Sequence, residues 1–334
     1  MKTTKIVFLA FSLMPAVALA QTNNANIANE NGNSIMFVSK EDLAKARNYW
    51  TEERLRNATP KAMPDISVLE IANIHNETAK LIIPKVIAKS ILPKNSPSRP
   101  SDIGIPTEAD VKEIPFNNAG KLYFTESDGT EHSCTAQFVG QLNILLTAAT
   151  CIRDKKTGQY YSNFKFHQAY REGEETAKIL GVGAATRDSW VVGDGEHSNR
   201  KVDYGFIITE TESQSGAMGL IAGLPFNDLY AIGYASNYSN SKILQKVQGK
   251  LAGVKDGVAA MSGNPFARGA GGGAWIAELS PGSQWTGNYV VGNNASHKSD
   301  DPNTDYGPFY DEGFESLYKQ VATEAGKYNK KPKK

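Results

Sequence analysis

The stretch CTAQFVGQLNILLTAATC, from Cys134 to Cys151, runs apolar through Leu146 and closes in Thr147-Ala148-Ala149-Thr150-Cys151. Small residues ending against a cysteine mark a tight, shaped segment, and the polar group placed at its end is the Thr150 hydroxyl. Such a hydroxyl can donate or accept a hydrogen bond, but it is no base near neutral pH. Cys134 and Cys151 are the only cysteines, so in an oxidising compartment one disulfide is possible and no other. A zinc site would need two more ligands, and the five histidines (His75, His132, His167, His197, His297) show no metal spacing. No metal and no cofactor are expected.

The elements that must position these residues follow from composition and pattern. The chain has 334 residues, a net charge of +1 and 40% hydrophobic residues, enough for one large all-β domain or two smaller domains. Balanced charge argues against nucleic acid as a partner. Lys2 and Lys5, the apolar run Ile6 to Val17 and Ala18-Leu19-Ala20 form a secretory signal peptide (residues 1–20) cleaved after Ala20. No later segment has the ~18 apolar residues of a membrane span, so a secreted or periplasmic product is expected. The Asn-rich residues 21–34 read as disordered. Ser39 with Asp42 three residues on is a capping-box pattern, and Leu43, Ala46 and Trp50 recur at helical spacing, predicting one helix near 40–57. Leu92 to Pro106 reads as a Pro- and Ser-rich linker, so residues 21–112 form a partly helical N-terminal region.

From about residue 113 short apolar stretches alternate with turn residues: GKLYFT, CTAQFVG, NILLTAA, FKFHQAY, KILGVG, SWVVGDG, DYGFIIT, LYAIGYA, QKVQGKL, AWIAEL and NYVVGNN. Their spacing predicts an all-β sandwich or barrel. Phe314, Leu317, Tyr318 and Val321 predict one C-terminal helix with its apolar face on the β domain. The basic tail 326–334 reads as disordered.

Three segments together resemble the trypsin-like serine protease family. CTAQFVGQLNILLTAATC resembles the strand pair that ends in T-A-A-H-C, VDYGFIIT the segment of the triad aspartate, and GAGGGAW (Gly269 to Trp275) the nucleophile loop. YAIGYA, NYVVGNN and YGPFYDEGFESLY continue the resemblance toward the secreted glutamyl-endopeptidase branch. YWTEERLRNATP is similar to that branch's propeptide-end motif. The likeness spans roughly residues 113–322, with a weaker echo at 49–60. It implies two six-stranded antiparallel β-barrels with a C-terminal helix over residues 113–325. By position it implies Thr150 at the histidine, Asp203 at the aspartate and Gly271 at the serine, with Gly269 and Gly271 as oxyanion-hole amides.

The departures then decide the expected function. The triad needs a nucleophile, a base and a carboxylate that orients the base. Thr150 supplies no base, Gly271 has no side chain, and Ala270 replaces an anchoring aspartate; only Asp203 remains. Loss of one key member costs about 10⁶-fold in turnover, and loss of all costs much the same. The expectation is a secreted pseudoprotease used as a protein- or peptide-binding module, with Thr150 Oγ1 capping the Asp203 carboxylate. The alternative is a serine-type endopeptidase with a relocated constellation, for which Ser133, Ser262 and His132 are the nearest candidates. His132 reads rather as a satisfied strand histidine than as a relocated base, and His297 rather as an exposed loop residue than as a remnant of a specificity pocket. With Ala270 unable to pair with a freed amino terminus, residues 21–112 are expected to stay attached.

Overall fold

A computed structural model describes residues 27–65, 85–91, 103–192, 199–223, 226–283 and 287–329. The signal segment, His75, His197, most of the 92–106 stretch and residues 330–334 lie outside them.

Six strands, β1 (Ala119–Thr125), β2 (Glu131–Phe138), β3 (Ile144–Thr147), β4 (Ser162–Gln168), β5 (Ala177–Arg187) and β6 (Gly205–Thr209), pair in the order β1-β2-β3-β6-β5-β4 and back to β1. All six joins are antiparallel ladders, so the sheet closes and leaves no edge. Leu122, Phe124, Phe138, Leu145, Phe166 and Ile207 fill its interior. Six further strands, β7 (Asp228–Gly233), β8 (Gln245–Lys255), β9 (Val258–Ser262), β10 (Ala274–Ala277), β11 (Tyr289–Asn293) and β12 (Asp301–Pro308), form a second curled sheet in the order β12-β9-β8-β7-β10-β11. Strands β12 and β11 come close as the sheet curls, and a Cβ on Gly307 of β12 would stand 2.2 Å from the Asn293 carbonyl of β11.

Ten of the eleven apolar stretches named from sequence contribute to these strands. SWVVGDG does not: its described part is a 3₁₀ turn, Asp188–Trp190, that buries Trp190 and sends its Nε1–H to the Arg153 carbonyl at 2.8 Å. Conversely, β9 and the polar β12 were not foreseen. They are strands because they pair with each other in register, Val258 with Pro308 through Ser262 with Thr304.

The N-terminal region is woven into both sheets. Residues Ile27–Glu30 and Asn33–Phe37 form a hairpin, correcting the expectation of disorder over 21–34 for its described part. Asn31 and Gly32 turn it at φ 55° and 70°, which asparagine and glycine tolerate. The second strand continues the first sheet beside β5. The single helix expected near 40–57 is two, α1 (Lys40–Tyr49) and α2 (Glu52–Asn57). Ser39 Oγ caps α1 at Asp42 N (3.0 Å), the chain extends at Trp50, and Thr51 caps α2. Lys85–Ala88 pairs with Gly219–Ala222, and Thr107–Glu108 pairs with β8. The C-terminal helix, α3 (Glu312–Asn329), buries Phe314, Leu317, Tyr318 and Val321. It runs past residue 326, where a disordered tail was expected, because Ala325 is buried and Asn329 bonds Glu212 at 2.8 Å.

Candidate functional site

The glycine loop Gly269–Gly273 lies on the seam between the two sheets, held there by one face of β2. Ser133, Thr135 and Gln137 alternate along that strand and are all fully buried. Thr135 Oγ1 donates to the Gly269 carbonyl (2.9 Å) and its N–H to the Gly271 carbonyl (3.0 Å). Gln137 Nε2 donates to the Gly272 carbonyl (3.0 Å), and its Oε1 accepts from Ala274 N (3.0 Å). The sequence reading passed over Thr135 and Gln137. Their signal was polar alternation on a strand whose other face is core, which marks a second buried surface rather than solvent.

The glycines of the loop are not equivalent. Gly272 has φ +84°, and a Cβ on it would meet Thr147 Oγ1 at 2.1 Å; a Cβ on Gly273 would meet the Ile232 carbonyl at 2.0 Å. These positions must be glycine. Gly271 has no left-handed φ, and its Cβ would find only Cys151 Sγ and Met63 Cγ, both at 3.7 Å. A Cβ fits at 271, and none is there.

Beside this loop the disulfide Cys134–Cys151 joins β2 to the turn that follows β3, with Cα atoms 6.3 Å apart. Cys151 Sγ is 3.8 Å from the Gly271 carbonyl. Thr150 sits on the 3₁₀ turn Ala149–Cys151, and its backbone N–H donates to Asp203 Oδ1 at 2.9 Å. The hydroxyl makes no hydrogen bond to that carboxylate, which corrects the expected cap: the amide at the start of the turn already points there. Asp203 is 1% exposed, and burial pushes its pKa up to about 7, against the opposing pull of the Thr150 and Ala149 amides and the Arg200 charge. A second buried carboxyl, Asp305, has one oxygen accepting from Ala295 N (3.3 Å) and the other without a partner among the described residues. Burial first, then the nearby Asp203 charge, raise its pKa as well.

Thr150, Asp203 and Gly271 are thus brought to one seam. The cleft above it is filled by residues 59–65 of the same chain. Thr59 and Pro60 run parallel to His132 and Ser133, and Lys61 N–H donates to the Ser133 carbonyl at 2.9 Å. The Lys61 carbonyl accepts from Gly269 N–H, also at 2.9 Å. Met63, 5% exposed, covers Gly271. His297 N–H donates to the Pro64 carbonyl (3.3 Å), and Asp65 bridges to His297 in parallel. Arg200 reaches Ser296 Oγ (2.9 Å) and the Asp65 carbonyl (2.5 Å). The Gly269 amide therefore already holds a carbonyl, while Gly271 N–H has no hydrogen-bond partner among the described residues.

The remaining candidates stand elsewhere. Ser262 Oγ donates to the Lys250 carbonyl on β8, and Ser133 Oγ is buried without a partner among the described residues. His132 Nδ1 lies 2.9 Å from Thr59 Oγ1 and Nε2 3.4 Å from Glu126, which Lys61 also engages. Burial and the Lys61 charge lower the His132 pKa. His297 lies at the far end of the cleft rather than in an open loop. No group of metal-ligating side chains occurs among the described residues, and no helix there is long and apolar enough to cross a membrane.

No protein-family model and no curated protein matches the chain. Solved structures do. A thermostable serine protease, AL20, from an extremophilic microorganism superposes with a TM-score of 0.53 at 22% identity, over 62% of this chain and 97% of its own. The protease Anisep from Arthrobacter nicotinovorans gives 0.56 at 20% identity, over 66% and 100%. A Glu endopeptidase solved with MPD gives 0.52 at 15% identity, over 65% and 96%. The fold is trypsin-like. The paired sheets, the seam between them and the C-terminal helix follow that pattern, and about a third of this chain lies beyond what these proteases share with it.

Proposed function

We propose that the chain is an exported trypsin-like pseudoprotease whose interbarrel cleft binds protein or peptide segments without cleaving them. The single observation that carries this reading is Gly271. It is the one glycine of Gly271–Gly273 whose side chain the fold does not exclude, so the missing nucleophile is a chemical loss and not a steric necessity. Thr150 adds a second loss, since it meets Asp203 through its backbone amide, which carries no proton to or from a substrate. The surrounding frame is kept: the disulfide, the buried carboxylate and the clamp of Thr135 and Gln137 on the glycine loop. A binding role uses such a frame by main-chain pairing along the cleft rims.

The test is a fluorophosphonate probe on the intact protein, read by mass spectrometry. No serine or threonine should be labelled, and peptide turnover should not exceed that of a heat-denatured control. Labelling of any hydroxyl sinks the reading. One second reading has an observation behind it: Thr59, His132 and Glu126 follow one another as hydroxyl, imidazole and carboxylate. Glu126 is already paired with Lys61, so we favour the inert reading. Probe adducts on Thr59 that vanish in His132→Ala would reverse that preference. Export is proposed with cleavage after Ala20, and an N-terminus at Gln21 on the exported chain is the expected mass.

A further inference from the structure

We propose that residues Thr59–Asp65 are a built-in ligand of the interbarrel cleft: a strap that occupies the main-chain pairing positions of the cleft and keeps other peptides out until it is lifted. The inference rests on the peptide-binding reading above and adds what regulates that site.

Three observations carry it. First, the strap is held as an added strand would be, by main-chain hydrogen bonds to both rims. Lys61 N–H bonds the Ser133 carbonyl on one side, and the Gly269 and His297 amides bond the Lys61 and Pro64 carbonyls on the other. Any peptide that pairs with those amides must first displace it. Second, its side chains plug the positions around the glycine loop. Met63 covers Gly271, and Pro60 Cβ would stand 3.0 Å from a Cβ on Gly269. Third, the pairing is incomplete. Pro60 and Pro64 have no N–H to give, so the strap makes fewer rim hydrogen bonds than a peptide with amides at those places could.

What holds so sparse a ligand is tethering and a few polar anchors. The strap follows α2 directly, so its effective concentration is in the ~mM range or above, and a free peptide has to outcompete it. Lys61 pairs with Glu126, and the Asp65 carboxylate accepts from Ser299 N–H (3.2 Å) and Ser299 Oγ (3.0 Å). These side chains leave the strap near its start and at its last residue, and truncating them loosens it without touching the core of either sheet.

The experiment uses the full exported chain. Backbone hydrogen exchange should find the Gly269 and His297 amides protected in the wild type. The pair Lys61→Ala and Asp65→Ala should speed their exchange at least 10-fold while circular dichroism stays native. A fluorescein-labelled peptide of residues 57–67 should then bind that variant at least 10-fold more tightly than the wild type. Equal exchange in the two proteins overturns the strap, as does faster exchange with no gain in peptide binding, which would make the segment purely structural. Should the pair fail to fold, Asp65→Ala alone must move both readouts in the same direction, and no movement is again fatal. The fluorophosphonate probe on the loosened variant separates the two readings. Labelling there ends the inert reading and leaves the strap standing, whereas equal exchange with no labelling ends the strap alone.

Discussion

Burial leaves Asp203 as a proton-holding group near neutrality. Its pKa, raised to about 7, lies above the ordinary carboxylate value, so the folded state binds a proton that the unfolded chain releases above about pH 4. That contribution to stability is fully present below pH 4 and is lost as the pH climbs toward 7, at about 1.4 kcal/mol per unit. Asp305, raised in the same direction, acts with the same sign. In urea titrations the wild-type midpoint minus that of Asp203→Asn should therefore shrink and then reverse between pH 4 and pH 7, the amide variant being the steadier protein at pH 8. At the glycine loop two substitutions should part company. Gly271→Ala should change stability by less than about 1 kcal/mol, while Gly272→Ala, which forces a Cβ to 2.1 Å from Thr147 Oγ1 at a left-handed φ, should cost about 3 kcal/mol or more in chemical denaturation. Thr150, Asp203 and Gly271 were legible in the sequence; their contacts, and the Thr135 and Gln137 clamp beside them, were not. Which atom of Thr150 meets Asp203 depends on how a 3₁₀ turn aims its first amide, and no side-chain chemistry announces that.

At the level of elements, the N-terminal helices behave as part of the first barrel's wall. Trp50, at the break between α1 and α2, is 6% exposed, lies 5.5 Å from the Tyr123 ring and donates Nε1–H to the Asn163 carbonyl at 2.7 Å. Trp50→Ala should cost about 3 kcal/mol in global unfolding, far more than a surface helix would if it merely rested there. The strands of the first barrel were readable because each is apolar and bounded by turn residues. β12, Asp301–Pro308, was not, since Pro302 and two glycine- and asparagine-type breakers mask a strand that its partners β9 and Ser296–Lys298 stabilise. The early hairpin carried a local signal, Asn31-Gly32, that the polar composition around it overrode.

At the scale of the whole molecule, residues 27–65 and 85–91 contribute strands to both sheets and a strap to the cleft, which supports the proposal that the N-terminal region stays in place. Mass spectrometry of the mature product should recover a single chain from Gln21. Limited proteolysis that nicks the chain should not free the N-terminal fragment without denaturant. Restoring Thr150→His and Gly271→Ser should give little peptide cleavage in the otherwise native chain and measurably more when Lys61→Ala and Asp65→Ala are added. A single architecture of two sheets and one helix could be inferred from pattern and family likeness. The self-filled cleft could not, because residues 59–65 have no periodicity and acquire their shape only from the rims they touch.

Lys61 gives that filling a mechanical meaning. Its N–H is held by β2 of the first sheet and its carbonyl by the Gly269 loop on the seam, both at 2.9 Å, so one residue's backbone ties the strap to both walls of the cleft. A motion that parts β2 from the glycine loop must strain these two bonds together with the Thr135 and Gln137 clamps. The joint is therefore stiffened by the strap as well as by the clamp of β2 on the glycine loop.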